Sequence, residues 1–291
     1  MSDPLELIKK AEKKAKPSSG FMKLFTDDAD KYEEAADLYV EAANIYRVNK
    51  QLGESGNNFI KAAECQLNAH NESEAGNTYV EAYKMYKSID PANAATAIEK
   101  AIDLFTNKIG QFRRAANFEF ELGELYESTL HDYKKAITCY QTAGEWYSQD
   151  SATALSNKSF LKAADLKALD NEFLEAVDCY SKVVANSIGN RLSQWSLKDY
   201  YLKIGLCQLA ANDSVAASKT LRDFQINCGD NTSREYNLLK TLIDCYNEQD
   251  VNKFSSSVFE FDKFSKLDDW KTKILLKIKD SISKQEDDDL L

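Results

Sequence analysis

The side chains able to do chemistry are plentiful in this sequence, but their types and spacing do not assemble a reaction centre. Its two histidines, His70 and His131, stand in loop contexts, with no HExxH spacing and no cysteine at ligand spacing, so neither predicts a metal site. No GxxxxGK(S/T) or GxGxxG run is present, which excludes nucleotide binding by the usual phosphate loops. Six cysteines, at 65, 139, 179, 207, 228 and 245, include no CxxC pair. Cys179 and Cys245 sit in helical core patterns, Asp178-Cys-Tyr180 and Asp244-Cys-Tyr246, and the set reads as reduced, buried thiols. The carboxylates fall on the polar faces of periodic helices, as solvated surface. The expectation is a protein with no catalytic residues, no metal and no cofactor, and not an enzyme.

Recognition chemistry remains. Lys158 and Lys162 lie four residues apart on one predicted helix, and Arg113-Arg114 lies about two units earlier. Together they could form a basic strip suited to an acidic helical surface, or they could be cations scattered on a solvated face. Near the start, Phe21-Met22-Lys23-Leu24-Phe25 places four large apolar residues in five, just after lysines 9, 10, 13, 14 and 16. Two readings are open for this loop. The phenylalanines fold back and seal the end of the fold, or the loop dips into the headgroup region of a bilayer while the lysines meet anionic lipid.

The elements that must position these residues repeat. A large apolar residue followed three positions later by a small one occurs at Tyr39/Ala42, Phe59/Ala62, Tyr79/Ala82, Ile98/Ala101, Phe120/Gly123, Tyr140/Ala143 and Phe160/Ala163, and fades at Tyr180/Val183. The steps are 20, 20, 19, 22, 20, 20 and 20 residues. Spacing of i and i+3 puts both members on one helix face, so a ring can sit over the small residue of a neighbouring helix. Steps near 20 that pair into units of about 40 predict stacked antiparallel helical hairpins. The class is all-α, a TPR-like superhelical array of hairpins over 1–190, with the apolar loop at 20–26. A C-terminal helical bundle with an acidic Leu-Leu tail follows over 191–291. Asp3-Pro4 is a helix start, with Leu5, Ile8, Ala11 and Ala15 on one face.

Ten glycines and three prolines in 291 residues are too few for an all-β sandwich. The net charge of −10 argues against a nucleic-acid partner, although residues 1–25 carry +3 against −13 for the rest. No run of 18 apolar residues and no apolar signal core is present, which predicts a cytoplasmic protein.

Several stretches resemble one family. The Lys-rich first helix followed by PSSGFMKLF, the run EAGNTYVEAYKMY, the later GNRLSQWSLKDYYLKIGLCQLA, the LDDW before the last helix and the terminal EDDDLL are similar, in order and spacing, to the alpha-SNAP (soluble NSF attachment protein) family in its fungal form. The resemblance implies an adaptor in membrane fusion and vesicle-mediated transport. Several copies would wrap the SNARE four-helix bundle, recruit the hexameric AAA+ ATPase NSF and stimulate its hydrolysis, so that the bundle is pulled apart. It implies a peripheral, weak contact with an anionic membrane through Phe21, Met22, Leu24 and Phe25. It implies SNARE contacts through Lys158 and Lys162, extended by Arg113 and Arg114. ATPase contacts would come from Leu290 and Leu291, with Asp213, Asp244 and Glu248 facing its N-domains. Two departures stand out: animal members carry adjacent phenylalanines where this chain has Phe21-Met22, and the acidic run before the leucines is longer here. A helical-repeat scaffold for another cytosolic peptide is the alternative.

Overall fold

The computed structural model describes residues 3–16, 28–190, 193–229 and 231–289, with backbone alone for 194 and 285–289. Fourteen α-helices and no strand occur among the described residues. They divide into two compact units, Met1–Asp150 and Ser151–Leu291. The first holds α1 (Pro4–Lys14), α2 (Ala29–Val48), α3 (Leu52–Asn68), α4 (Glu72–Tyr86), α5 (Pro91–Asp103), α6 (Phe112–Leu125) and α7 (Tyr133–Gln149). The second holds α8 (Thr153–Leu169), α9 (Phe173–Ser187), α10 (Gln194–Ala210), α11 (Ser214–Cys228), α12 (Arg234–Glu248), α13 (Val251–Phe264) and α14 (Asp269–Asp289). The place near residue 190 where the aromatic-alanine motif fades therefore falls inside the second unit, which also takes in α8 and α9.

In the first unit each helix packs on the next, α1 on α2 through to α6 on α7. The repeated pairs are the contact. Every large member from Tyr39 to Tyr180 is buried, and Ala42, Ala62, Ala82, Ala101, Ala143 and Ala163 are fully so. The small residues are small because rings lie on them. A Cβ added to Gly123 would stand 2.8 Å from the Tyr140 ring, and one on Gly76 would stand 2.8 Å from Phe105. Tyrosine hydroxyls that end at the edge of the core are satisfied there: Tyr140 donates to Glu127 at 2.5 Å, Tyr126 to Glu99 at 2.7 Å and Tyr147 to Asn117 at 2.7 Å.

Seven of the connections share one device. Lys50, His70, His131, Ser151, Asn171, Asn212 and Gln249 all have φ between 54° and 68°, and in each case the next residue is the N-cap of the following helix. In several turns that N-cap N–H donates to the carbonyl five residues back, as in Asn71 to Gln66 (2.8 Å) and Asp213 to Gln208 (2.9 Å), the closing bond of a Schellman turn. Both histidines are thus turn residues in the left-handed region.

Helix α1 starts as its sequence predicts, with the Asp3 carboxylate accepting from Leu5 N at 3.0 Å. Its buried face differs. Leu7 and Ala11 are buried, with Ile8 and Ala15 beside them against Ala35, Ala36 and Tyr39, while Leu5 is 57% exposed. Leu7, Ala11 and Ala15 follow an i, i+4 row, which stays on one face, and Leu5 stands off it.

In the second unit α10 is the hub, packed against α9, α11, α12 and α14. This accounts for its burial from Leu197 to Leu209. Helix α14 returns across α10 to α8, and its Ile274, Leu275, Ile278 and Ile282 are buried at i, i+4 and i+8 spacing.

Candidate functional site

The two arginines of α6 have different surroundings. Arg114 is half-buried, with its guanidinium 4.1 Å above the Phe105 ring and donating to Asn77 Oδ1 at 2.7 Å. It pins α6 to α4, which is a packing role. Arg113 is exposed; it pairs with Asp150 at 2.5 Å and lies over the Tyr147 ring. On the other side of α6, Glu99, Glu119, Tyr126, Lys135 and Cys139 line a cavity of about 390 Å³. Burial, with the Glu99 charge adding to it, pushes the Glu119 carboxyl up to about 7 even though the Cys139 thiol hydrogen-bonds to it. Burial and the neighbouring Glu119 hold the Cys139 thiol high, so it is protonated and unreactive.

In the second unit, α8 buries Ser156, Ser159, Phe160, Ala163, Ala164 and Lys167. Lys158 and Lys162 lie about half a turn away from that stripe. Lys158 is exposed and Lys162 half-buried. Both lysines therefore lie on the side of α8 away from its buried stripe.

The acids expected to face a partner lie at the start of α11 and the end of α12. Asp213 is the N-cap of α11 and accepts from Ala216 N at 2.8 Å. The Tyr246 hydroxyl donates to Asn212 at 2.9 Å, so the start of α11 meets the end of α12. Asp244 and Glu248 are exposed on that end of α12, and Glu248 pairs with Lys253 at 3.0 Å. The loop residues Phe21, Met22, Leu24 and Phe25 and the tail residues Leu290 and Leu291 lie outside the described residues.

Sequence reasoning missed a polar cluster that fixes α14. Lys203, with a side chain 10% exposed, pairs with Asp165 at 2.6 Å and lies 4.6 Å from the Trp270 ring centre. The Trp270 indole donates to the Asp165 carbonyl at 3.0 Å, and the Tyr180 hydroxyl donates to the Asp165 carboxylate. Asp268 caps α14 by accepting from Lys271 N at 2.7 Å, and the Lys271 ammonium bridges Asp268 and Asp199. The LDDW run, noticed only as a family mark, is therefore the clamp between α14 and the α8–α10 helices.

The whole-chain pattern matches a family profile described as soluble NSF attachment protein, SNAP, over residues 2–283. The chain belongs to the SNAP family. It is 61% identical to a Saccharomyces cerevisiae protein named alpha-soluble NSF attachment protein, over 99% of each chain. It is 47% identical to a Schizosaccharomyces pombe protein named probable vesicular-fusion protein sec17 homolog, over 99% of each. The human alpha-soluble NSF attachment protein is 32% identical over 99% of this chain and 97% of its own. No helix among the described residues is long and apolar enough to cross a membrane.

Proposed function

We propose that this protein is an adaptor in vesicle fusion, which binds assembled SNARE complexes and brings the NSF ATPase to them for disassembly. Membership of the SNAP family over nearly the whole chain carries this reading. It is an adaptor and not an enzyme. Lys158 and Lys162, on the side of α8 away from its buried stripe, contact the acidic surface of the SNARE bundle, and Arg113 makes a further contact with it. Arg114 belongs to the same proposed set, from its half-buried position over Phe105. Asp213, at the start of α11, and Asp244 and Glu248, at the end of α12, meet the ATPase N-domains, and Leu290 and Leu291 stimulate hydrolysis. Phe21, Met22, Leu24 and Phe25 insert shallowly in an anionic membrane, a weak contact that several copies per complex multiply. The protein is cytoplasmic and peripheral to membranes.

Disassembly of a purified SNARE complex by the ATPase tests this, with the protein as the only variable, in ATP and in a non-hydrolysable analogue. Disassembly is expected only with both the protein and hydrolysis. Equal disassembly without the protein would refute the reading. Deleting Leu290 and Leu291 leaves SNARE binding intact and lowers ATPase stimulation.

A further inference from the structure

Helix α13 buries only Phe254 among its 14 residues. Phe254, Val258 and Phe259 face Leu267, Leu275 and Leu276 across an open groove of about 640 Å³ between α13 and α14. Phe259 is 64% exposed and Leu276 58%. A cleft of this volume holds two or three large side chains.

The edge of the groove has a sign. Lys266 and Lys279 line it, and the Lys263 ammonium lies 4.6 Å from the Phe259 ring centre. The single carboxylate among the lining residues, Asp262, is already bonded to Lys266 at 2.8 Å and to Leu267 N at 2.9 Å. Apolar walls with a lysine edge, in a chain of net charge −10, fit an acidic segment that carries adjacent apolar side chains. This chain contains such a segment, Glu286-Asp-Asp-Asp-Leu-Leu291. It cannot reach its own groove: at 1.5 Å per residue Asp289 stands about 20 Å along α14 from Leu276, and two further residues span only about 7 Å.

We propose that the α13–α14 groove of one copy receives Leu290 and Leu291 of a second copy, with Asp287, Asp288 and Asp289 along its lysine edge. The contact is between copies of this chain, so it stands or falls independently of the ATPase reading of the same leucines.

The test uses a fluorescent peptide, Ser283 to Leu291, titrated into the full chain lacking Leu290 and Leu291, with anisotropy as the readout. Saturable binding is expected, weakened about tenfold or more by Phe259→Ser with Leu276→Ser, and equally by Leu290→Ser with Leu291→Ser in the peptide. High salt weakens it several-fold, because the lysine edge is exposed. Phe259 and Leu276 are surface positions, and an unchanged circular dichroism spectrum keeps the variants interpretable. Absence of binding up to about 1 mM peptide, or binding unaltered by the groove variants, overturns the proposal. So does self-association of the intact chain in sedimentation that persists unchanged when the two leucines are removed, since the copies then meet elsewhere.

Discussion

Replacing Gly123 by Ala isolates the contact on which the repeat is built. In an open helix the change would stabilise by about 1 kcal/mol, because alanine is the better helix former. Here the added methyl would stand 2.8, 2.9 and 3.2 Å from three atoms of the Tyr140 ring. That ring has nowhere to go. Tyr140 is fully buried, its centroid is 5.1 Å from that of Phe120, and its hydroxyl is bonded to Glu127 at 2.5 Å. Overpacking of this kind costs about 1–3 kcal/mol, and a ring held on three sides places it in the upper part of that range. The net is a loss of about 1–2 kcal/mol, or roughly 2–8 °C in melting temperature at 2–4 °C per kcal/mol. Gly53 is the control, since a Cβ there would meet only Ile89 Cδ1, at an ordinary 3.8 Å. Gly53→Ala is expected to raise the midpoint, by up to about 4 °C. Thermal melts followed by far-ultraviolet circular dichroism on both variants decide the matter. A Gly123→Ala protein that melts at or above the wild type would refute ring-over-glycine packing as the reason for the small residue.

Lys158→Glu with Lys162→Glu should weaken capture of a purified SNARE bundle by about tenfold or more, some 1.4 kcal/mol; a loss below about twofold in a pull-down titration would remove α8 from the interface. Glu119 sets a pH dependence. Its folded value near 7 lies above the ordinary 4.5, so the folded chain binds more protons than the unfolded chain in that window, and its contribution to stability falls as pH rises through it. Glu119→Gln, which can still accept from Cys139, should raise the melting temperature at about pH 8 and change it little near pH 4.5; an equal effect at both would refute the assignment. Asp165→Ala strands the Lys203 ammonium, and should destabilise the chain by about 3 kcal/mol, seen as an earlier urea midpoint with Trp270 fluorescence as the probe. His131→Gly relieves a left-handed residue and should raise the melting temperature by a few degrees, about 1 kcal/mol; a lowered midpoint would mean that the imidazole does more than turn the chain.

Much of the fold is legible in the residues. The apolar periodicity predicts helices over Trp195 to Ala211, Ser214 to Ile226, Ser233 to Asn247, Val251 to Lys266 and Asp269 to Ser283, and the helices found differ from these mainly at their ends. Capping aspartates, Asp3, Asp213 and Asp250, mark the starts of α1, α11 and α13. The turns were harder to read, because among the described residues seven left-handed positions are held by Lys, His, Ser, Asn and Gln and only three by glycine. The recognition residues were legible chiefly through the family resemblance. Four-residue spacing put Lys158 and Lys162 on one face, but nothing local distinguished Arg113, exposed and paired with Asp150, from Arg114, laid over Phe105 and bonded to Asn77.

By itself, the sequence determined the helical class, the recurrence of large and small residues near every twentieth position, the starts of many helices and the family. These are consequences of spacing within one or two turns of helix, where 3.6 residues per turn decide which side chains share a face. Tertiary structure alone decided what covers each face and which charge meets which. Helix α10 is mostly apolar from Tyr200 to Ala210, which announces burial without naming the four helices that surround it. Asp165 meets Trp270 across 105 positions, and Lys203 across 38. Contacts of that separation depend on how the intervening helices stack, and no local pattern encodes the stacking.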